Sequence, residues 1–466
     1  MALTEHEAAE LTEQRFRRAR PFQHLPKAKL ARDQLPPGLR WPALLQSIGL
    51  LRFRHQFVPW LHRRYGDVFT VRLIPGGQAL VLFTRPEHAR EIFAGDPEIF
   101  QAGKGNAILG PIMGEHSLLL QDGGEHARAR KLITPAFAGK VMKGYAELVT
   151  EIARDEVASW RPGEEFRSLD RMNRLTLEVI LRVVFGVTDE QRLAGLRPCV
   201  NRTVEISPAV LLGWGWPRLQ RFGPWKATVD NQRRLDRLMY AEIGERRDAP
   251  DLADRTDVLS RLILVRDGGD ALSDVELRDQ LVTLLLAGHE TTATALSWAL
   301  YELGRDPAQL ARARQAADEG DDAWLEAVMK ESMRLHPVIP MVVRQLMEPV
   351  TIGGVDLPAG ATIGPSILIA HQRPDNHPEP ERFRPERFLE VAEGDHRVGP
   401  PVNTWIPFGG GVRRCIGAGF SLMEGVVILR EVLAAYDVTS LGRDVPKVRN
   451  ITSVPRSGAR IRVTSR

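Results

Sequence analysis

The stretch that opens at Ser273 limits the possible folds more than any other part of the chain. Apolar side chains recur at helical spacing through Leu277, Leu281, Leu284, Leu285, Ala295 and Trp298, and the pattern stops near Gly304 and Pro307. Ser273 and Glu276 form a capping-box pattern at its start. The spacing predicts a helix of about 30 residues, roughly 45 Å long at 1.5 Å per residue. A helix that long and that apolar must run through the body of a large domain. The 466 residues can supply one: 43% are hydrophobic and 26% charged. Those proportions exclude disorder, a collagen-like fibre and a coiled coil.

Helical periodicity dominates from Glu125 to about Arg312. Residues 68–74 and 79–84 read as a hairpin closed by Pro75-Gly76-Gly77. A further helix is expected over Asp322–Leu335, ending before Pro337, and another from about Ala418 to Ala435. Short strand-like segments, Val350–Ile352 and 362–369, precede a Pro/Gly-rich meander from 374 to 411. No internal repeat or linker divides the chain. The expectation is one mainly α domain with a small β region over residues 41–466. A basic arm, residues 1–40, precedes it and closes at Leu35-Pro36-Pro37-Gly38.

With 63 Lys+Arg and 59 Asp+Glu the net charge is only +4, and the excess sits at the ends. Residues 11–40 hold eight basic against two acidic side chains, and residues 441–466 hold seven against one. Without a zinc-finger or RNP-type motif these read as solvated tails, and no nucleic-acid partner is expected. No uncharged apolar run reaches the roughly 18 residues of a membrane helix. Glu5, Glu7, Glu10 and Glu13 stand where a secretory signal would be basic and then apolar. A cytoplasmic protein is expected. Two cysteines, Cys199 and Cys415, allow one bridge at most and no disulfide framework.

Cys415 sits in Phe408-Gly-Gly-Gly-Val-Arg-Arg-Cys415-Ile-Gly417-Ala, a glycine-rich loop feeding a helix. Glycines let a backbone approach a flat ligand closely. A helix start brings free N–H groups and positive dipole to the sulfur, and Arg413 and Arg414 add charge, all of which favour a thiolate. Such a thiolate is a nucleophile or a metal ligand. The spacing Phe408, Gly411, Arg413, Cys415, Gly417 resembles the haem-ligand loop of the cytochrome P-450 family. The resemblance implies haem b (iron protoporphyrin IX), with Cys415 as the axial iron ligand. It also implies that Arg413 faces a haem propionate and that Phe408 packs beside the sulfur. The haem would lie between the long central helix and the cysteine-loop helix.

Inside the long helix, Ala287-Gly288-His289-Glu290-Thr291-Thr292 interrupts the apolar run. Glycine costs about 1 kcal/mol in a helix interior, and threonine can bond back to a carbonyl and bend the helix. The backbone is therefore expected to open there. A zinc-protease helix needs a second histidine four residues after His289, and Ala293 stands in its place. The segment instead resembles the family's oxygen-binding groove, with Glu290 where Asp is commoner. Reductive cleavage of O2 requires protons, and an acid beside an alcohol can relay them from water. Glu290 and Thr291 are assigned that relay. Thr292 is expected to be structural, and His289 an ordinary, partly exposed side chain.

Glu331 and Arg334, at i and i+3, would by themselves suggest only a weak surface pair. They match the family's Glu-x-x-Arg, and Phe383-Arg-Pro385-Glu386-Arg387-Phe388 matches its meander motif. Together these imply a structural Glu331–Arg334–Arg387 cluster. His126 and Arg130 share a helix face at i, i+4. The resemblance gives them, with Arg344, to the haem propionates. Substrate-facing segments by resemblance include residues 105–114, with Ile108, Leu109, Ile112 and Met113. They also include residues 206–216, with Val210, Leu211 and Leu212; the helix face near Ala287; and residues 339–343, with Met341 and Val342. Only Glu205 is charged there, so an apolar substrate is expected: fatty acid, terpenoid, steroid or alkyl aromatic. The implied reaction is insertion of one oxygen of O2. Electrons would come from NAD(P)H through a separate ferredoxin or flavodoxin and its reductase, docking on a basic face with Arg414, Arg128 and Lys131. A peroxide-driven or isomerising enzyme and a non-catalytic haem or lipophile binder are the alternatives, and the Glu290-Thr291 pair argues against both.

Overall fold

The computed structural model describes residues 5–18, 30–74, 77–187, 189–204, 206, 210, 218–390 and 398–466. Helices dominate and the strands are short. The described residues fall into two compact units: one from 1–25, 102–148 and 176–290, the other from 26–101, 149–175 and 291–466. The long helix is one uninterrupted α-helix of 30 residues, Asp274–Leu303. The capping box forms: Glu276 N donates to Ser273 Oγ at 3.3 Å, and Ser273 N donates to Glu276 Oε2 at 2.8 Å.

In the first unit, helices Glu190–Val204, Gly223–Arg247 and Val258–Leu264 accompany the first part of the long helix. Asp257 caps the last of these by accepting from Ser260 N at 2.9 Å. Arg246, buried, reaches Asp257 at 2.6 Å, Glu242 at 2.7 Å and the Phe185 carbonyl at 2.7 Å, so the helix joint is fixed by charge as well as by packing. The segment expected to be a solvated arm contains helix Glu5–Arg18, with Thr12 and Phe16 buried. The charge count misled because it averages over a helix with one apolar face. Residues 19–29 lie outside the described residues.

In the second unit, Val68–Leu73 pairs antiparallel with Gln78–Phe83, Val68 opposite Phe83. Gly77, at φ +73°, supplies a turn conformation open to glycine, while Pro75 and Gly76 lie outside the described residues. Gln78–Phe83 continues parallel to Thr362–Pro365, then Arg344–Leu346 and Phe100–Gln101 complete a five-stranded sheet. Period-2 alternation splits its apolar side chains. Phe69, Val71, Leu80 and Leu82 pack on Val58 and Leu61 of helix Arg54–Tyr65, and Val81, Phe83 and Ile363 pack with Ile92. The run read as strand over 362–369 changes to a short helix, Ile367–Ala370, because Ser366 Oγ accepts from Ile369 N at 3.4 Å.

Helix Asp322–Leu335 starts on Asp321, which accepts from Trp324 N at 3.1 Å. Its Arg334 is fully buried. The guanidinium meets Glu331 at 2.7 and 2.8 Å and the carbonyls of His371, Pro380 and Arg382 at 3.0, 2.8 and 3.1 Å. Arg387 Nε donates to Glu331 Oε1 at 3.0 Å, and Arg384 N donates to the same oxygen at 2.8 Å. The meander is thereby nailed to the helix. Lys330 O accepts from Trp405 Nε1 at 3.1 Å, and Ile406 N donates to His371 Nε2 at 2.9 Å. Burial holds His371 well below the usual histidine range, so the ring stays neutral and keeps a lone pair for that bond. Replacing Glu331 by Gln leaves two guanidinium groups without their buried counter-charge. Urea unfolding of Glu331→Gln should show a loss of about 3–5 kcal/mol.

Candidate active site

The cysteine loop is shaped by what lies beneath it. A Cβ on Gly410 would fall 2.4 Å from the Phe93 ring, and one on Gly411, at φ +64°, would fall 2.0 Å from the Phe93 carbonyl oxygen. No side chain fits there, so the backbone of the loop lies directly on helix Pro86–Ala94. The loop closes on itself: Cys415 N donates to Phe408 O at 2.9 Å and Arg414 N to Gly411 O at 3.1 Å. Phe408 sits edge-on to Trp405, ring centres 5.9 Å apart. Helix Ala418–Ala435 begins just after, with Gly417 at its N-cap. The Cys415 side chain is exposed, whereas Cys199 is buried.

This donor set can be tested against a metal centre. Among the described residues no group of three or more His, Cys, Asp or Glu side chains could hold a bare ion. One accessible sulfur fits a metal whose remaining ligands come from a macrocycle rather than from the protein. Arg413, half-buried in the loop, and Arg344, buried at the start of a strand, are cations of the same unit. His126 is buried and Arg130 half-buried on helix Gly123–Ile133 of the first unit.

In the long helix, Gly288 serves a close approach: a Cβ there would lie 2.6 Å from Ile180 Cδ1 of helix Ser168–Val183. The helix runs continuously through this point. Thr176 Oγ1 donates to the His289 carbonyl at 3.0 Å, and the His289 ring lies 3.0 Å from the Leu285 carbonyl through Nδ1. His289 is buried, not partly exposed, because the neighbouring helix covers that face. Glu290 is buried, Thr291 half-buried and Ala287 exposed. Thr292 Oγ1 lies 3.0 Å from Ser421 Oγ on the cysteine helix, linking the two helices within the second unit.

Sequence reasoning missed Glu424, the one charged side chain in residues 418–429 of the Ala418–Ala435 helix. It is fully buried beside Thr292. Burial pushes its carboxyl up to about 8, with the Thr292 hydroxyl pulling weakly the other way. The readable signal was a lone carboxyl inside an apolar helical run. Asp236 and Asp279, both buried beside Arg278, were also missed.

Of the substrate candidates, Ile108, Ile112 and Val210 meet in one apolar cluster with Ile206, Trp225 and Leu286. Leu109 is half-buried in a short 3-10 turn, and Met113 is buried with its sulfur 3.8 Å from Ser117 Oγ. Met341 and Val342, both half-buried, pack on separate clusters of the second unit. Leu211, Leu212 and Glu205 lie outside the described residues. The basic docking face needs correction. Arg128 donates to Asp270 at 2.7 and 2.8 Å and also pairs with Glu276, and Lys131 lies 2.6 Å from Asp267. Their charge is neutralised by the loop ahead of the long helix. Arg414 is exposed.

A mainly helical fold with a thiol-bearing loop ahead of a buried helix defines a class of haem-thiolate proteins, and the comparisons with known proteins agree. The Cytochrome P450 family pattern matches residues 35–461. The chain is 51% identical over 433 residues to cytochrome P450 135A1 of Mycobacterium tuberculosis, covering 92% of this chain and 95% of that protein. It is 41% identical over 438 residues to cytochrome P450 135B1 of Mycobacterium bovis, covering 92% and 91%. The structure of retinoic acid bound cyanobacterial CYP120A1 is similar with a TM-score of 0.80 at 26% identity, over 93% of this chain and 99% of that one. The chain belongs to the cytochrome P450 family and is a monooxygenase with haem as cofactor. No helix among the described residues is long and apolar enough to cross a membrane.

The folded-state value of Glu424 lies above its unfolded value of about 4.3. The neutral carboxyl therefore favours the fold below that value, and the advantage drains away as pH rises, ending once pH passes about 8. Thermal midpoints measured from pH 5 to 9 should fall more steeply for the native protein than for Glu424→Gln, the gap levelling off above about pH 8.

Proposed function

We propose that Cys415 is the protein's ligand to haem iron and that the substrate is a lipophilic small molecule. The carrying observation is the exposed Cys415 side chain on a loop whose Gly410 and Gly411 admit no side chain. Bound haem supplies the reductive activation of O2 and the insertion of one oxygen atom into a C–H or C=C bond. Cys415 presents its sulfur as thiolate at a helix N-terminus. Arg413, Arg344, His126 and Arg130 serve as donors to the propionates. The Glu290 carboxyl and Thr291 hydroxyl hold and pass protons inward from water. Glu331, Arg334 and Arg387 hold the meander that leads into the loop.

The apolar cluster of Ile108, Ile112, Ile206 and Val210 supports a fatty acid, terpenoid, steroid or alkyl aromatic over a small polar metabolite. The retinoic acid held by a structural relative is of that lipophilic class. Electrons come from NAD(P)H through a separate ferredoxin or flavodoxin and its reductase. Arg414, exposed one residue before Cys415, is the proposed residue on the docking face.

In the haem-loaded protein, Cys415→Ala should abolish the reduced carbon-monoxide band of a thiolate-ligated haem and product formation with it; an unchanged band would overturn the assignment. Lipophiles, not small polar metabolites, should give saturable shifts of the haem absorption. Arg414→Glu should raise the KM for an acidic ferredoxin several-fold at low salt and much less at high salt.

A further inference from the structure

The first unit contains a buried charge cluster that none of the proposed chemistry uses. Helix Glu5–Arg18 packs on helix Gly223–Arg247 through Phe16 and Val229. The guanidinium groups of Arg15 and Arg233 lie 4.6 and 5.7 Å from the Phe16 ring centre, and Arg233 pairs with Glu13 at 2.7 Å. Arg15 then reaches past this contact. Its Nη2 donates to Asp236 Oδ2 at 2.7 Å, and its Nη1 to the carbonyl of Pro111 at 2.5 Å and that of Ile112 at 3.5 Å.

Asp236 is fully buried, and its other oxygen accepts from Arg278 Nε at 2.8 Å. Arg278, also fully buried, donates to the carbonyls of Met113 and Ile112 at 3.0 and 3.3 Å and to Asp279 at 2.8 Å. Asp279 accepts from His116 N at 3.0 Å, and Gln280 Oε1 accepts from Leu118 N at 3.1 Å. Gly114, at φ +92°, sits where a Cβ would come within 2.0 Å of Asp279 Oδ1. So the short helix Gly110–Met113 and the turns after it pair with no strand, and the carbonyls of Pro111, Ile112 and Met113 and the N–H groups of His116 and Leu118 are held by side chains of the long helix and by Arg15. Two cations face two carboxylates. Without Arg15, Arg278 is left with both acids and the carbonyls of Pro111 and Ile112 lose a donor, an imbalance that is costly away from water.

Ile112, on the clamped segment, belongs to the apolar cluster with Ile206 and Val210. The family match begins at residue 35, so the clamping helix lies outside the matched residues. We propose that helix Glu5–Arg18 is a strap that positions the substrate-facing segment 108–113 through Arg15, and thereby sets substrate affinity and selectivity. Arg15 is a positioning residue: it touches backbone carbonyls and Asp236, and acts on substrate only through the segment they belong to. The proposal rests on the reading that residues 108–113 face the substrate.

The test uses the full-length, haem-loaded protein, Arg15→Ala, Arg15→Lys and a truncation lacking residues 1–18. Two quantities are read: hydrogen exchange of the amides of residues 107–118, and dissociation constants for a panel of neutral lipophiles of graded bulk, taken from the haem absorption shift. Haem content and the carbon-monoxide band should match the native protein. Exchange should quicken in Arg15→Ala and in the truncation, binding of the tightest panel member should weaken about tenfold, and the spread of affinities across the panel should narrow. Arg15→Lys keeps the charge but not the fork, and should fall between. Unchanged exchange overturns the strap. Faster exchange with an unaltered panel overturns its role in substrate selection. If the native protein answers no lipophile at all, the substrate reading fails separately, and the exchange data still decide the strap.

Discussion

A guanidinium cut off from water must find an acceptor for each of its N–H groups, or the fold bears the desolvation cost. Each unit of this enzyme is organised around one such group. In the second unit Arg334 binds Glu331 twice and takes the His371 carbonyl and two carbonyls of the meander. In the first, Arg278 binds Asp236, Asp279 and two carbonyls of the segment after Pro111. A buried ion pair adds little net stability over an apolar replacement. Its effect is on geometry: a charged fork with five fixed directions makes one arrangement of an irregular backbone much better than its neighbours. Helices and strands hold themselves by their own ladders. The meander and the turns that follow the four-residue helix Gly110–Met113 have no such continuous ladder, and there the arginines add fixed partners.

The chemistry sits downstream of that constraint. With the meander fixed, Ile406 N is bonded to His371 and Trp405 to Lys330, so the chain enters the cysteine loop from a set point. Phe93 then forces glycine at 410 and 411, and the loop leaves as the Ala418–Ala435 helix. A Cβ on Gly425 would fall 2.6 Å from Met329, so that helix approaches the helix carrying Arg334 closely. Glu424 is fully buried in the same helix, and burial favours its neutral form.

Local signals in the sequence translated into structure nearly residue for residue. Asp322–Leu335 has an aspartate cap before it and a proline after it. Ala418–Ala435 follows a glycine N-cap. Ser273 and Glu276 bond as their spacing implies. Pairings between distant residues were not legible. Asp236 and Arg278 stand 42 positions apart, and Arg15 and Asp236 stand 221 apart. Nothing in either neighbourhood distinguishes a buried partner from a solvated one. For the same reason Arg128 looked like a free surface charge until Asp270 and Glu276 were seen beside it. His289 looked exposed until the helix bearing Thr176 was placed over it. The Glu331–Arg334–Arg387 grouping came from a family pattern, since spacing alone describes a weak surface pair.

The proposed proton pair carries a geometric consequence of its own. Successive residues of an α-helix point about 100° apart, so Glu290 and Thr291 cannot face each other. A proton leaving the Glu290 carboxyl must cross that angle through an intermediary, and water is the natural one. The residues that share the Thr291 face one turn back are Ala287 and Gly288, the two smallest side chains of the segment. The Ile180 side chain packs directly against Gly288, and Ala287 is exposed. The helix therefore places no bulk of its own beside the Thr291 hydroxyl. The glycine that looked like a bend in the backbone instead admits the Ile180 side chain against a continuous helix, so the small side chain one turn before Thr291 is that of Ala287.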